Sequence, residues 1–234
     1  MGLVKSGQAT LMRGDDKLKS QNRHRKQRFF ELESQPQSPH LRGMSAKTQS
    51  SHLDGKLLIA MPAMGDTRFE RAVIYMCAHS DDGAMGLIVN KPAPDLRFSD
   101  LLEQLEMKIP DESRQIRVHF GGPVEHGRGF VLHSRDYDSE DSTLHVDDAF
   151  GMTATLDILK DISDGKGPEN SLLALGYSGW GPGQLEGELQ ANGWLICDAT
   201  PQIVFGAGDN TKWEAALASL GISPSFLSAS GGTA

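Results

Sequence analysis

Residues 172–198, LLALGYSGWGPGQLEGELQANGWLICD, constrain the fold more than any other part of the chain. An apolar run at Leu172–Leu175 leads into glycine-rich sequence carrying Tyr177, Ser178 and Trp180. A short helical segment follows, then a second apolar run at Trp194–Cys197. The pattern reads as strand, tight turn, capped helix and strand. Both apolar runs need partner strands and a covering layer, so the remainder of the chain must provide them.

Candidate partners occur along the chain. Lys56–Pro62 reads as a strand stopped by Pro62. Arg71–His79 and Ala84–Asn90 flank Ser80-Asp81-Asp82-Gly83, and Asp-Gly between apolar runs predicts a hairpin with a primed turn. The two runs barely alternate, which predicts strands covered on both faces. Ile116–Phe120, Gly129–His133 and Thr143–Val146 are further strand candidates.

Three helices complete the reading. One is expected over Asp100–Met107 behind a Ser99 N-cap, with Leu101, Leu102 and Leu105 on one stripe. A second spans about Thr153–Ile162 with Leu156, Leu159 and Ile162 at helical spacing. The third covers about Thr211–Leu220, turns Trp213, Leu217 and Leu220 inward and ends at Gly221. Strands arriving in hairpins with helices between them predict an α+β fold and not a doubly wound parallel sheet.

Charge divides the chain in two. Residues 1–50 hold ten Lys and Arg against four Asp and Glu, a balance of about +6. Residues 51–234 hold thirteen against twenty-seven, about −14. The expected organisation is a basic, disordered N-terminal extension at 1–52, a single domain at 53–230 and a frayed end at 231–234. A nucleic-acid arm, a transit peptide and a lipid anchor (Met1-Gly2 followed by Ser6) are alternative readings of the extension, and Met44 offers a second start. The acidic domain disfavours direct DNA binding and binding to anionic membranes. No apolar run approaches the roughly 18 residues of a membrane span, and no apolar signal region follows the basic N-terminus. A cytoplasmic protein is expected. Cys77 and Cys197 lie in apolar runs without any C-x-x-C, which predicts two buried thiols, with a Cys77–Cys197 redox pair as the alternative.

Several separate segments together resemble one family. Leu58-Ile59-Ala60-Met61-Pro62, Gly86-Leu87-Ile88-Val89-Asn90-Lys91, Gly121-Gly122-Pro123-Val124, Arg128-Gly129-Phe130 with Leu132-His133, and Gly176-Tyr177-Ser178-Gly179-Trp180 with Gly183-Gln184-Leu185-Glu186 are similar to the AlgH/YqgE family of bacterial proteins. The likeness covers about residues 53–230 in order. It implies a complex α+β domain whose bifurcated, mainly antiparallel sheet folds into a pseudo-barrel flanked by helices. It also implies a regulator of transcription, a description resting on an association with alginate production. It brings no assigned catalytic or binding residue.

The residues themselves do not complete a catalytic constellation. Gly176-Tyr177-Ser178-Gly179-Trp180 sits where a nucleophile elbow would, but Trp180 replaces the second glycine of G-x-S-x-G. Gly181-Pro182-Gly183 before Gln184 could hold an anion at a helix start, yet Glu186 and Glu188 would occupy that positive end themselves. Neither a P-loop nor a dinucleotide fingerprint occurs, so no cofactor is expected. His119, His126, His133 and His145 lack metal-ligand spacing, so no metal is expected. The favoured reading is a non-catalytic regulatory protein that holds an unidentified protein or small-molecule partner, with any effect on transcription indirect. Its candidate surface is Asn90, Lys91, His133, Tyr177, Ser178, Trp180 and Glu186. The alternative is an enzyme of unknown reaction in a cleft formed by the same residues apart from Trp180, which requires those side chains to converge.

Overall fold

The computed structural model describes residues 52–110, 113–139 and 142–227. The expectations for the N-terminal extension and the frayed C-terminus fall outside these residues. The strands are β1 (Lys56–Ala60), β2 (Val73–Ser80), β3 (Gly83–Ile88), β4 (Val118–Phe120), β5 (Val124–Ser134), β6 (Thr143–His145), β7 (Phe150–Thr153), β8 (Ser171–Trp180) and β9 (Trp194–Asp198). The helices are α1 (Phe98–Gln104), α2 (Leu156–Ser163), α3 (Gln184–Gln190) and α4 (Lys212–Ser219). A π-helical turn, Gln202–Gly206, joins β9 to α4.

All the strands belong to one sheet of order β6-β7-β5-β8-β3-β2-β1-β9, with β4 attached to β8 off this path. The sheet is antiparallel apart from β4 beside β8, and it curls into a half-barrel. β8 is where it forks. One edge of β8 is paired by β5 from Ser171 to Tyr177. The other edge takes β4 at Leu173–Leu175 and then β3 at Ser178–Trp180. The expected α+β class and bifurcated sheet are therefore observed.

Both faces are covered, as the unbroken apolar runs predict. On one face Leu57, Ile59, Val73, Tyr75, Leu87, Phe130, Leu132 and Ala174 pack with Trp213, Ala216 and Leu217 of α4 and with Ile203 and Val204 of the π-turn. The opposite face buries Leu58, Ala60, Ile74, Met76 and Ile88 against Trp180, Leu185 and Trp194. A third cluster sets α1 and α2 on Val118, Val131 and Leu173. Each fully buried Leu, Ile or Phe contributes roughly 1.5–3 kcal/mol. Two donors from α4 fix its register on the sheet: Trp213 Nε1 to Ala60 O at 2.9 Å and Lys212 Nζ to Val89 O at 2.7 Å.

Local details depart from the sequence reading in physically simple ways. Gly176–Trp180 is not a turn but the second half of β8, because β3 offers it an edge. In the β2–β3 hairpin Asp81-Asp82 forms the connection, and Gly83 opens the return strand opposite Ser80. α1 begins two residues early, with Arg97 and not Ser99 as N-cap; the Arg97 backbone N–H donates to Asp100 Oδ2 at 3.1 Å. β7 had no period-2 signal and exists because β5 and β6 both pair with it. Leu156 and Leu220, expected inward, are each 40% exposed; Ile158 and Ala216 take the inward places.

Candidate functional site

The motifs of the opening stretch meet those of the 121–124 segment as backbone against backbone. Gly121 N–H donates to Leu175 O at 2.8 Å, and Ile88 N–H donates to Gly121 O at 2.8 Å. A Cβ on Gly122 would overlap the Tyr177 carbonyl and the Ser178 nitrogen. Gly176 lies at the fork with φ of 72°, and a Cβ there would stand 2.6 Å from Gly122 O. Side chains are absent at both positions because two chain segments cross there.

Beyond the fork, α3 ties its neighbours together with two carboxylates. Glu188 Oε2 accepts Trp180 Nε1–H at 2.9 Å and Trp194 Nε1–H at 2.7 Å, while Gln184 Nε2–H reaches Oε1 at 2.9 Å. The two indoles meet edge to face, 6.1 Å between centroids. Trp180 is thus a packing residue of the cluster that holds Leu58, Ile74, Leu185 and Trp194. Glu186 Oε1 lies 2.7 Å from His79 Nε2, and His79 Nδ1 accepts the Leu53 N–H at 3.2 Å, which leaves Nε2 as the donor to Glu186. The Glu186 carboxyl is held below its usual range, first by its own backbone N–H in the opening helical turn and then by His79. Gln184 Oε1 accepts the Gly181 N–H at 3.1 Å. The residues at this helix start cap it from within.

The remaining sequence candidates are dispersed. Asn90 is a backbone clamp: Oδ1 accepts the Val73 N–H at 2.8 Å and Nδ2 donates to Arg71 O at 2.8 Å. Lys91 is half-buried beside β4, where its carbonyl accepts the Phe120 N–H. His133 is fully buried and bonded at both ring nitrogens, Nδ1 to Ser134 O at 2.8 Å and Nε2 to Thr153 Oγ1 at 2.9 Å. Desolvation pushes its pKa down. Ser178 is 1% exposed, and its Oγ has no partner among the described residues. His133 pairs with Ser171 across β5 and β8, so Ser178, seven residues further along β8, is about 20 Å away. No Ser–His dyad forms.

Cys77 and Cys197 are buried free thiols. β1 runs between their strands, with Leu57 paired to Tyr75 on one side and Cys197 on the other. Two strand spacings, about 9.5 Å, exceed the roughly 7 Å limit for disulfide Cα atoms. The structure does not support the redox pair.

Two polar groupings escaped the sequence reading. In the first, Asp209 Oδ1 receives Arg117 Nη1 at 3.2 Å, His119 Nε2 at 3.0 Å and Lys212 Nζ at 3.0 Å. His119 and Lys212 are fully buried. Desolvation pushes both of their pKa values down, while Asp209 is held low by His119 and Lys212 against its own desolvation. The cluster anchors the start of α4 to β4. Its members lie about ninety positions apart, so only the fold reveals it.

The second grouping lies on β5. Between the pairs Val124–Tyr177 and Gly129–Leu175, β5 advances five residues while β8 advances two. This wide bulge re-aims side chains. Glu125 has φ of 48°, and its Oε2 meets Arg128 Nη1 at 3.3 Å. The Arg128 guanidinium lies over Phe130, 5.0 Å from its centroid, and Tyr177 meets Phe130 edge-on at 5.9 Å. His126 is exposed and stacks on Phe120 at 5.5 Å. Burial first, and then the Glu125 charge, raise the Tyr177 pKa, with Arg128 opposing. The Tyr177 hydroxyl makes no hydrogen bond among the described residues. The signal available in the sequence was Arg128-Gly129-Phe130, which carried the family likeness without a role.

Of the histidines considered as ligands, His145 pairs with Asp138 at 3.2 Å, and the others have the partners given above. Among the described residues no group of three His, Cys, Asp or Glu is arranged to hold a metal ion. No described helix is long and apolar enough to cross a membrane.

These features define a class: an α+β half-barrel with a forked sheet, its glycine motifs used for close backbone crossing. Comparison with known proteins gives the family. A family model described as AlgH-like matches residues 57–225, and the chain belongs to that family. A UPF0301 protein of Ruegeria pomeroyi is 63% identical over 185 residues, covering 78% of this chain and 99% of the relative. One from Bradyrhizobium diazoefficiens is 52% identical over 199 residues, covering 82% and 93%. Among solved structures, the solution structure of the AlgH protein from Pseudomonas aeruginosa matches with a TM-score of 0.65 at 41% identity, over 82% of this chain and all of that one. A crystal structure of a Corynebacterium diphtheriae protein shares the fold at 21% identity, with a TM-score of 0.58, over 73% and 88%.

Proposed function

We propose that this is a non-catalytic regulatory protein of the cytoplasm that works by holding a partner, with any influence on transcription indirect. One observation carries the reading. Within Gly176–Glu186 the Trp180, Gln184 and Glu186 side chains are engaged internally and Ser178 is buried, whereas the Tyr177 hydroxyl has no hydrogen-bond partner among the described residues. Of the sequence candidates, Tyr177 and the half-buried Lys91 remain available for binding, and Glu186 is exposed but already paired with His79. The acyl-transfer form of the enzyme alternative is set aside by the separation of Ser178 from His133. Direct DNA binding is opposed by the charge of about −14 on residues 51–234.

The test uses the full chain as bait in the native cytosol, beside Tyr177→Phe and Tyr177→Ala. A protein or metabolite retained by the native chain and lost with Tyr177→Ala supports the proposal. Equal recovery by all three baits refutes the placement of the site. Retardation of DNA at low salt would overturn the indirect role.

A further inference from the structure

The unpaired donors on the β5 bulge specify a ligand. We propose that Arg128 and Tyr177 form a binding site for a single oxyanion, a carboxylate or phosphate group on a small molecule, and that Glu125 is its internal competitor. This inference rests on the binding role proposed above and names its chemistry.

The hydrogen bonding of Arg128 is lopsided. Nη1 meets Glu125 at 3.3 Å, well beyond the 2.7–2.9 Å of a good charge-assisted bond. Nε is buried, and neither Nε nor Nη2 has an acceptor among the described residues. Nε–H and Nη2–H point the same way and form the edge of the guanidinium that grips a carboxylate or phosphate with two parallel bonds. A buried donor without an acceptor is a costly arrangement, which calls for an explanation in each instance. Here the edge without an acceptor is the one with bidentate geometry.

The surroundings suit one anionic group. Phe130 backs the guanidinium plane and fixes its orientation. Tyr177 stands against the same ring, and its hydroxyl has no hydrogen-bond partner among the described residues. Glu125 sits in the left-handed region, a conformation uncommon outside glycine, and its half-exposed carboxylate covers one nitrogen of Arg128. Glu125 and His126 are the exposed side chains of the bulge and lie between it and solvent. The acidic charge of the domain disfavours a long polyanion and favours a small ligand with one oxyanion in contact.

The experiment is an NMR titration of the full, ¹⁵N-labelled chain with inorganic phosphate, with acetate and with chloride at constant ionic strength. Saturable shifts of the Arg128 Nε–H and of the Gly127 and Gly129 amides are expected with phosphate or acetate but not chloride. Whichever of the two saturates identifies the oxyanion. Arg128→Lys keeps the charge but loses the fork, and should weaken binding about tenfold. Glu125→Gln removes a like charge from the site and should tighten binding roughly tenfold. Each variant is first checked for a native-like spectrum; if Arg128→Lys does not fold, Glu125→Gln carries the test. Non-saturating shifts shared with chloride overturn the proposal, as does a Glu125→Gln variant that binds no tighter. If the native chain captures a Tyr177-dependent partner while neither oxyanion binds, the ligand assignment fails and the binding role stands. If oxyanions saturate the site but no partner depends on Tyr177, the binding role fails alone.

Discussion

Glu188 offers the sharpest test of how the sheet and α3 are held. One carboxylate oxygen accepts both indole N–H groups, from Trp180 and Trp194, which are 6% and 3% exposed. Glu188→Ala leaves two largely buried donors without an acceptor. Each such loss costs about 1–3 kcal/mol. Glu188 itself is half-buried, so water can reach part of the space, and the combined loss should fall at about 2–4 kcal/mol. With a urea m-value of about 2 kcal/mol/M, the unfolding midpoint drops by about 1–2 M at unchanged slope. Glu188→Gln keeps an oxygen able to accept both bonds and should cost only about 1 kcal/mol. Urea unfolding followed by tryptophan fluorescence reads both. A Glu188→Ala protein within about 0.5 kcal/mol of native, or one no worse than Glu188→Gln, refutes the argument that this oxygen anchors the indoles.

Three further outcomes follow from the same geometry. Asp209→Ala strands the buried Lys212 ammonium and should cost about 3–5 kcal/mol, whereas Asp209→Ala/Lys212→Met should recover most of that in the same assay. His119 and His133 have depressed folded pKa values, so the unfolded chain takes up protons first; their stabilisation is complete above the unfolded value of about 6.5 and is lost as pH falls through the folded values. Urea midpoints should therefore decline as pH falls below about 6.5, less steeply in His119→Gln, and a flat profile would contradict the assignment. Burial pushes both the Cys77 and Cys197 thiols up, so native protein should resist thiol reagents until it unfolds; an intramolecular crosslink formed in the native state would refute the separation across β1.

Much of the architecture was readable from local sequence. The strands at Lys56–Ala60, Val73–Ser80, Gly83–Ile88 and Trp194–Asp198 are short apolar runs bounded by turn residues, a pattern local sequence displays. The α2 and α4 segments were legible from their spacing, although Leu156 and Leu220 show that period alone misplaces residues at helix ends. Four residues at Phe150–Thr153 carry too little pattern to declare a strand. The site was less legible. Arg128 and Tyr177 are nearly fifty positions apart and both pack on Phe130 only because β5 and β8 pair with a bulge between them.

The sequence by itself determined the α+β class, the acidic domain, the hairpin, the strand on either side of α3 and, through several motifs in order, the family. Only the tertiary structure decided that Gly176–Trp180 continues a strand, that Trp180 and Trp194 share one carboxylate, and that the bidentate edge of an arginine on β5 has no acceptor among the described residues. The physical reason is range. Propensity and periodicity act over a few neighbouring residues, whereas hydrogen-bond satisfaction and desolvation depend on whichever distant segment the fold brings alongside.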